Sequence, residues 1–503
     1  MLPEHFISKL HSKIKPEWKF TFLCTFGIGL LIHLYRLTNP LLTWDSLYNF
    51  HDPQNTIHLG RCFLTLACGI SSYYDLPTVN GLLSLFYIAL TAVCLTEILQ
   101  IKSRLSLLCI SGITVSFPAV ASTLMYMYTA DGYFLAMLLA AGAVLVTLKY
   151  RRGFWLGILL LCFSYGSYQA YISYAVMLIL VWSLRQLLFS DASLNLFFRQ
   201  LLRFAIMGIG GTILYMICFK VLTLLERTEA SSYQGVSTMQ IPGLSDLLHA
   251  VPAMLTEFVY FFFGPLDSIN LFKLLNLLLF LVLFAAIPYG MLHSRIGIKK
   301  THLLLALAVC VMLPFGCCMI YLVTPNVRYH MLMMMGFSLI YILPVLLADT
   351  LKKPLLSWAA VLLSILTIYN FALIDNITYL YAHQSYEETY ALAVEMADRM
   401  EQTDGFDGVS RLCILGHFEG HDDIDIKLPP SMTGIKEGYI ATEQNHFAAF
   451  FNTYLGFELE GCTEEEAAAI QSSPQSQAMG IWPAADSVRV EEDTVIIKIG
   501  GDS

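Results

Sequence analysis

The chain has 503 residues and a net charge of −9, and only 13% of it is charged against 56% hydrophobic. A soluble chain keeps roughly a quarter of its residues charged, and no basic stripe is present, so a soluble enzyme and a nucleic-acid partner are both disfavoured. The deficit is uneven: long apolar runs fill the first three quarters, and the last quarter reads as ordinary soluble protein.

Taken in chain order, Lys9, Lys13, Lys15 and Lys19 lead into the apolar run Phe20–Leu37. No small-residue cleavage pattern follows, so residues 1–19 read as a cytoplasmic N-terminus ahead of a retained signal anchor. A helix needs ~20 apolar residues to cross a bilayer. That rule predicts about eleven spans: 20–37, 80–101, 105–125, 130–148, 154–167, 170–188, 204–225, 271–292, 302–323, 331–348 and 355–374.

Basic clusters then orient the spans. Lys102 and Arg104, Lys149 with Arg151 and Arg152, Arg185 with Arg199 and Arg203, Lys299 and Lys300, and Lys352 and Lys353 all fall on one side, the cytoplasm. This parity requires residues 154–187 to break at Tyr165-Gly166-Ser167, and 251–263 to form an interfacial or re-entrant helix on the outer side. The expected fold is thus an all-α polytopic bundle over residues 20–374, with an outer loop at 38–79. A small extracytoplasmic α/β domain at 375–503 follows. In that domain, residues 385–402 have helical spacing, Arg411–Phe418 looks like a strand, and Val488–Ile499 reads as a hairpin turning near Glu491–Asp493. Of the twelve cysteines, most sit inside apolar runs; Cys413 and Cys462 lie in the tail and could pair.

Polar chemistry collects in four elements that this topology places on the outer face. The loop from Leu42 holds Trp44-Asp45-Ser46, then His51, Asp52, His58 and Gly60-Arg61. A carboxylate such as Asp45 at the mouth of a helix bundle can take a proton from an acceptor hydroxyl; Asp52 and the histidines are equally readable as solvated loop residues. Tyr126–Asp131 follows the third span, and there Asp131 either caps a helix or faces substrate. Tyr168-Gln169, between two short spans, suits either sugar binding or an aromatic interface belt. Last come Arg328 and His330. Arg328 is an outer-side cation whose fork fits a phosphate oxygen pair or a loop carboxylate.

The order of these motifs along the spans resembles the bacterial Gtr-type membrane glucosyltransferases, a branch of the lipid-sugar-dependent GT-C class. The resemblance rests on Trp44-Asp45-Ser46, Gly60-Arg61, Tyr168-Gln169 and the Pro-x-x-Arg from Pro325 to Arg328, and covers roughly residues 15–400. It implies a protein of the bacterial cytoplasmic membrane that moves a hexose, glucose by analogy, from undecaprenyl phosphate to a surface polysaccharide or teichoic-acid-like acceptor. Asp45 would be the base and Arg328 and Arg61 would hold the donor phosphate. Asp52, Asp131, Tyr168, Gln169 and His330 would contact substrate. No cofactor is implied. The family often has two adjacent acids in the first outer loop; here Ser46 takes the second place, so a divalent metal held by that pair is not expected. A lipid-linked oligosaccharide flippase and a polysaccharide polymerase are the competing readings. Transporters carry repeated halves with polar midplane sites, and neither is visible in this sequence.

Overall fold

The protein is described by a computed structural model that covers residues 2–5, 9, 12–190, 193–238, 244–264, 271–293, 300–324, 327–418, 432 and 438–500. The described residues divide into two compact units. One holds 2–39, 53–376 and 432; the other holds 40–52, 377–418 and 438–500. One division falls between residues 376 and 377. The outer loop does not stay with the spans, because residues 40–52 join the second unit.

The membrane unit is helical throughout. Its main helices are α1 (Pro16–Thr38), α2 (Pro77–Leu99), α3 (Arg104–Ser116), α4 (Pro118–Met125), α5 (Met127–Lys149), α6 (Gly153–Ser167), α7 (Tyr171–Phe189) and α8 (Leu194–Glu226). They are followed by α9 (Leu244–Phe263), α10 (Phe272–His293), α11 (Lys300–Cys317), α12 (Ser338–Leu351) and α13 (Pro354–Glu401). Among the described residues ten spans are long and apolar enough to cross a membrane, with α3 and α4 counting as one, and α6 is a shorter apolar helix. The expected spans are therefore all present as helices, and the break after Ser167 is real. Lys299, by which one loop was oriented, lies outside the described residues.

Proline opens α1, α2, α4 and α13, where its missing N–H costs nothing and its fixed φ suits a first turn. Several hydroxyls inside the spans are satisfied by the preceding turn: Thr25, Thr91, Thr114 and Ser183 each donate to the carbonyl four residues back. Some helices are central and others face outward: 94% of the Arg104–Met125 span is buried, against 17% of α8. Leucines such as Leu31, Leu225 and Leu355 stand exposed on the peripheral helices, as a lipid-facing surface requires. The segment expected to be a short interfacial helix is longer, α9, and buries Met254, Phe258, Phe261 and Phe262 among Phe272, Phe280 and Phe337.

The second unit is α/β. Its sheet contains β1 (Arg411–Leu415), β2 (Glu460–Gly461), β3 (Val488–Glu491) and β4 (Thr494–Lys498) in the order β2-β1-β4-β3. The β1 pairings are parallel, and β3–β4 is the expected hairpin. Beyond Leu412 the β1 edge lacks a strand partner. The Gln444 side chain fills the gap, accepting from the Ile414 N–H at 2.6 Å and donating to its carbonyl. The helix expected over 385–402 is not separate. It is the end of α13, because residues 375–384 contain no Gly or Pro to stop the helix that begins in the membrane unit. Its Leu392, Met396 and Met400 pack on Leu412, Ile414, Val495 and Ile497. Leu42 and Leu47 of the outer loop enter the same core.

Candidate functional site

In the membrane unit, Arg61 sits on a pinned loop. Gly60 takes φ +75°, a left-handed conformation that ends the 3-10 turn Ile57–Leu59. The backbone around it is held from three elements. Tyr215 of α8 donates to the Gly60 carbonyl at 2.9 Å, the Gln169 amide donates to Leu59 at 3.0 Å, and Ser231 N–H donates to His58 at 2.9 Å. Phe63 N–H donates to Gly166 at 2.7 Å, and a Cβ at Gly166 would overlap the Phe63 ring.

The Arg61 guanidinium lies 5.6 Å from the Tyr133 ring centre and 5.9 Å from that of Tyr168. The two rings stack on each other at 4.1 Å. The electrostatic neighbours of Arg61 are the phenols of Tyr133, Tyr168, Tyr128 and Tyr233, and among the described residues it has no carboxylate partner. A desolvated guanidinium on aromatic faces with no counter-ion is built to accept an anion. It opens on a cavity of about 40 Å³ lined also by Gln169, Thr324 and Val327, room for a few waters. The Gln169 amide nitrogen also donates to the Tyr215 hydroxyl at 3.2 Å, and Tyr215 in turn holds Gly60.

Next in the chain to Val327 is Arg328, which is exposed. His330 is half-buried, and its pKa is lowered by burial and then by Arg328. Pro325 and Asn326 of the Pro-x-x-Arg motif lie outside the described residues. Asp131 does not cap its helix. The chain turns helical at Met127, four residues earlier, which carries Asp131 into the body of α5 at 1% exposure. The Ser71 hydroxyl and the Asp131 and Gly132 backbone N–H groups lie near its oxygens, but none makes a well-formed hydrogen bond, and the Ser71 hydroxyl donates to Cys68. A buried carboxylate in a membrane bundle is a functional candidate by default.

Two residues of this region were not singled out from the sequence. Arg36, at the end of α1, is fully buried and donates to the Leu124 and Asn39 carbonyls at 2.9 and 3.0 Å. Asp75, just before α2, has its pKa raised by burial, and Arg36 opposes that rise. The available signal was positional: an arginine at the end of a span opposite the basic clusters runs against their bias.

In the α/β unit, Trp44-Asp45-Ser46 opens a 3-10 turn, Asp45–Tyr48. Ser46 is fully buried and locked to Thr43: the hydroxyls are 3.0 Å apart, and each accepts from the other's backbone N–H at 3.2–3.3 Å. Asp45 is half-buried, and its carbonyl accepts from the Asn49 amide at 2.7 Å. The Tyr48 phenol is pushed up to about 12 by burial, then by Glu443, then by Asp45. Its ring is 5.7 Å from that of His446, which is buried on the helix Gln444–Phe450. Glu443 and His446 thus share a neighbourhood with Asp45 that their distance in sequence concealed. Among the described residues no three His, Cys, Asp or Glu side chains are grouped as a metal site.

The bundle and its loops meet a match in sequence: residues 34–368, two thirds of the chain, fit the family described as Glucosyl transferase GtrII. The chain belongs to that family. It is a polytopic helical membrane protein of glucosyltransferase descent. No curated protein and no solved structure matches it. The GtrII match takes in Asp45, Arg61, Asp131, Tyr168, Gln169 and Arg328, and ends before the α/β unit resumes at Ile377. Of the residues expected to act, Arg61, Tyr168 and Gln169 are brought to one cavity, and Arg328 and His330 follow Val327, which lines it. Asp45 and Asp52 belong to the other unit.

Proposed function

We propose that this GtrII-family protein transfers a hexose from a polyprenyl-phosphate donor to a surface glycopolymer at the outer face of the bacterial cytoplasmic membrane. Arg61 carries the reading: a guanidinium without a carboxylate partner, seated on two tyrosine faces, is suited to the phosphate of the donor. The glucose preference comes from the family description alone.

In this reaction the acceptor hydroxyl oxygen attacks the anomeric carbon. The bond from that carbon to the phosphate oxygen breaks, and polyprenyl phosphate leaves with the electron pair. Asp45 takes the hydroxyl proton. Arg61 and Arg328 hold the charge that grows on the leaving phosphate. Tyr168 and Gln169 keep Arg61 in place and wall the cavity, while Asp52, Asp131 and His330 are the groups offered to sugar hydroxyls. No nucleotide-binding glycine loop is needed, because the donor arrives already activated.

The experiment is a transfer assay in washed membranes with purified acceptor polymer. Polyprenyl-phosphate hexose should support labelling of the polymer, and the corresponding nucleotide sugar should not. Labelling from the nucleotide sugar in membranes stripped of polyprenyl phosphate would overturn the reading.

A further inference from the structure

The α/β unit holds only two of the twelve cysteines, Cys413 and Cys462; the other ten lie in the membrane unit. The two are far apart in the chain, yet the fold sets them side by side. β1 and β2 pair in parallel, with Arg411 opposite Glu460 and Leu412 opposite Gly461. The Cys462 N–H donates to the Leu412 carbonyl at 2.9 Å. That bond carries the register one residue further and puts Cys413 opposite Cys462.

Residues opposite each other in a parallel pair point to the same face, on strands about 4.8 Å apart. That spacing falls inside the window of roughly 4.4–6.8 Å between Cα atoms that a disulfide spans. Both side chains are buried, at 0% and 3% exposure, in one small core with Leu415, Met479 and Ile496. The two thiols are hydrogen-bonding neighbours. The backbone on one side can adjust: β2 is the edge of the sheet and ends at Gly461, and Thr463 already caps the helix Glu464–Gln471.

Proximity alone does not decide the chemistry. Cys162 and Cys218 also lie 4.0 Å apart, but on α6 and α8 of the membrane unit. Disulfides form in oxidising compartments, by exchange with a second disulfide. The basic clusters place the α/β unit, and not the spans, in such a compartment.

We propose, resting on that outward placement and on the outer-face transfer proposed above, that Cys413 and Cys462 are joined by a disulfide. The oxidant is a protein disulfide of the outer compartment. While the chain folds, the thiolate of one cysteine attacks a sulfur of the oxidant, whose other sulfur leaves as a thiolate. The thiolate of the second cysteine then attacks the first, and the S–S bond forms as the oxidant departs. The two protons and two electrons given up by the cysteines end on the oxidant, which becomes a dithiol. In the finished fold burial pushes the Cys413 thiol up to about 12, so exchange belongs to folding and the link is structural. It closes a loop that carries the helix Gln444–Phe450, whose His446 ring stands 5.7 Å from that of Tyr48. The segment beside the Asp45 turn is thereby tied to the sheet.

The test uses the full-length protein expressed in a bacterium with an intact extracytoplasmic disulfide oxidase. Cells are quenched in acid, and the protein is denatured and alkylated. Ten cysteines should alkylate, the twelve less the linked pair. Digestion without reductant should release a peptide joining Cys413 to Cys462 that reductant splits. In Cys413→Ser all eleven remaining cysteines should alkylate, one more than in wild type although the chain has one fewer. If that variant does not accumulate, the wild-type peptide map decides alone. A C-terminal alkaline phosphatase fusion, active only outside the cytoplasm, reports the side of the tail. Twelve alkylated cysteines with an active fusion overturn the pairing alone. Twelve with an inactive fusion overturn the pairing and the outward tail together, and a link between Cys162 and Cys218 in place of the expected one also overturns the proposal.

Discussion

The membrane unit and the α/β unit hold opposite kinds of charge in opposite ways. In the membrane unit a cation, Arg61, is half-buried on tyrosine rings, without a carboxylate partner among the described residues. In the α/β unit an acid, Asp45, is half-exposed on a short turn, with Glu443 and a phenol nearby. The difference follows from solvation. An arginine keeps its charge even when partly desolvated, so it can rest on aromatic faces until an anion arrives. A carboxylate that must take up a proton at neutral pH needs some contact with water to remain ionised beforehand. The GtrII match covers both residues, yet they belong to different packing units.

The comparison can be broken most severely at Asp45. Asp45→Asn keeps the size and removes the base, and is expected to lower transfer about 10³-fold, within the span of general base catalysis. The measurement is polymer labelling at equal amounts of inserted protein, and activity within tenfold of wild type would remove Asp45 from the mechanism. Arg61→Ala should cost on the order of 10²-fold through lost stabilisation of the leaving phosphate. Arg61→Lys should recover only part of that, because an ammonium lacks the planar fork. Equal rates for Lys and Arg would mean that charge alone matters at this site.

A third change sharpens the contrast through stability. Ser46 is fully buried and bonded to Thr43. Ser46→Asp should therefore destabilise the α/β unit by about 3 kcal/mol, the cost of an uncompensated buried charge, seen as a lower thermal midpoint. A stable and more active variant would instead show that the turn can open to seat a second acid.

The smallest effect concerns Glu466, which caps its helix reciprocally with Thr463 and pairs with Arg411 at 2.5 Å. The Arg411 hydrogen bond, followed by the Thr463 bonds, holds its pKa at about 2. Because the folded value lies below the unfolded one, the stabilisation is complete above the unfolded carboxylate range. It is lost as pH falls towards about 2. The carboxylate is exposed, so the effect is small and should fade in salt. Acid unfolding of wild type and Glu466→Gln, with and without 0.5 M salt, would show it as a narrowing gap at low pH.

Much of the candidate site was legible because its residues are out of place. Arg328 and Asp131 are charged where the sequence around them is apolar, and Gly60-Arg61 and Tyr168-Gln169 punctuate spans. What escaped notice lay where long-range packing decides the environment. Glu443 and His446 stand nearly four hundred residues from Asp45, and only the shared core of Leu42, Leu47 and Phe447 puts them in one unit. Asp131 looked like a helix cap because a residue's position relative to a helix start is uncertain by a turn when read from sequence.

Span number, the break after Ser167, the strand and hairpin of the tail and the unit boundary near residue 375 were all determined by local pattern. Apolar length and residue periodicity set them before any tertiary contact forms. Only the folded structure decided that the loop at 40–52 packs with the tail, that Gln169 bridges the Arg61 loop and Tyr215, and that Asp131 is buried in the body of α5. These depend on which distant side chains share a buried space, and burial is a property of the whole chain rather than of any segment in it.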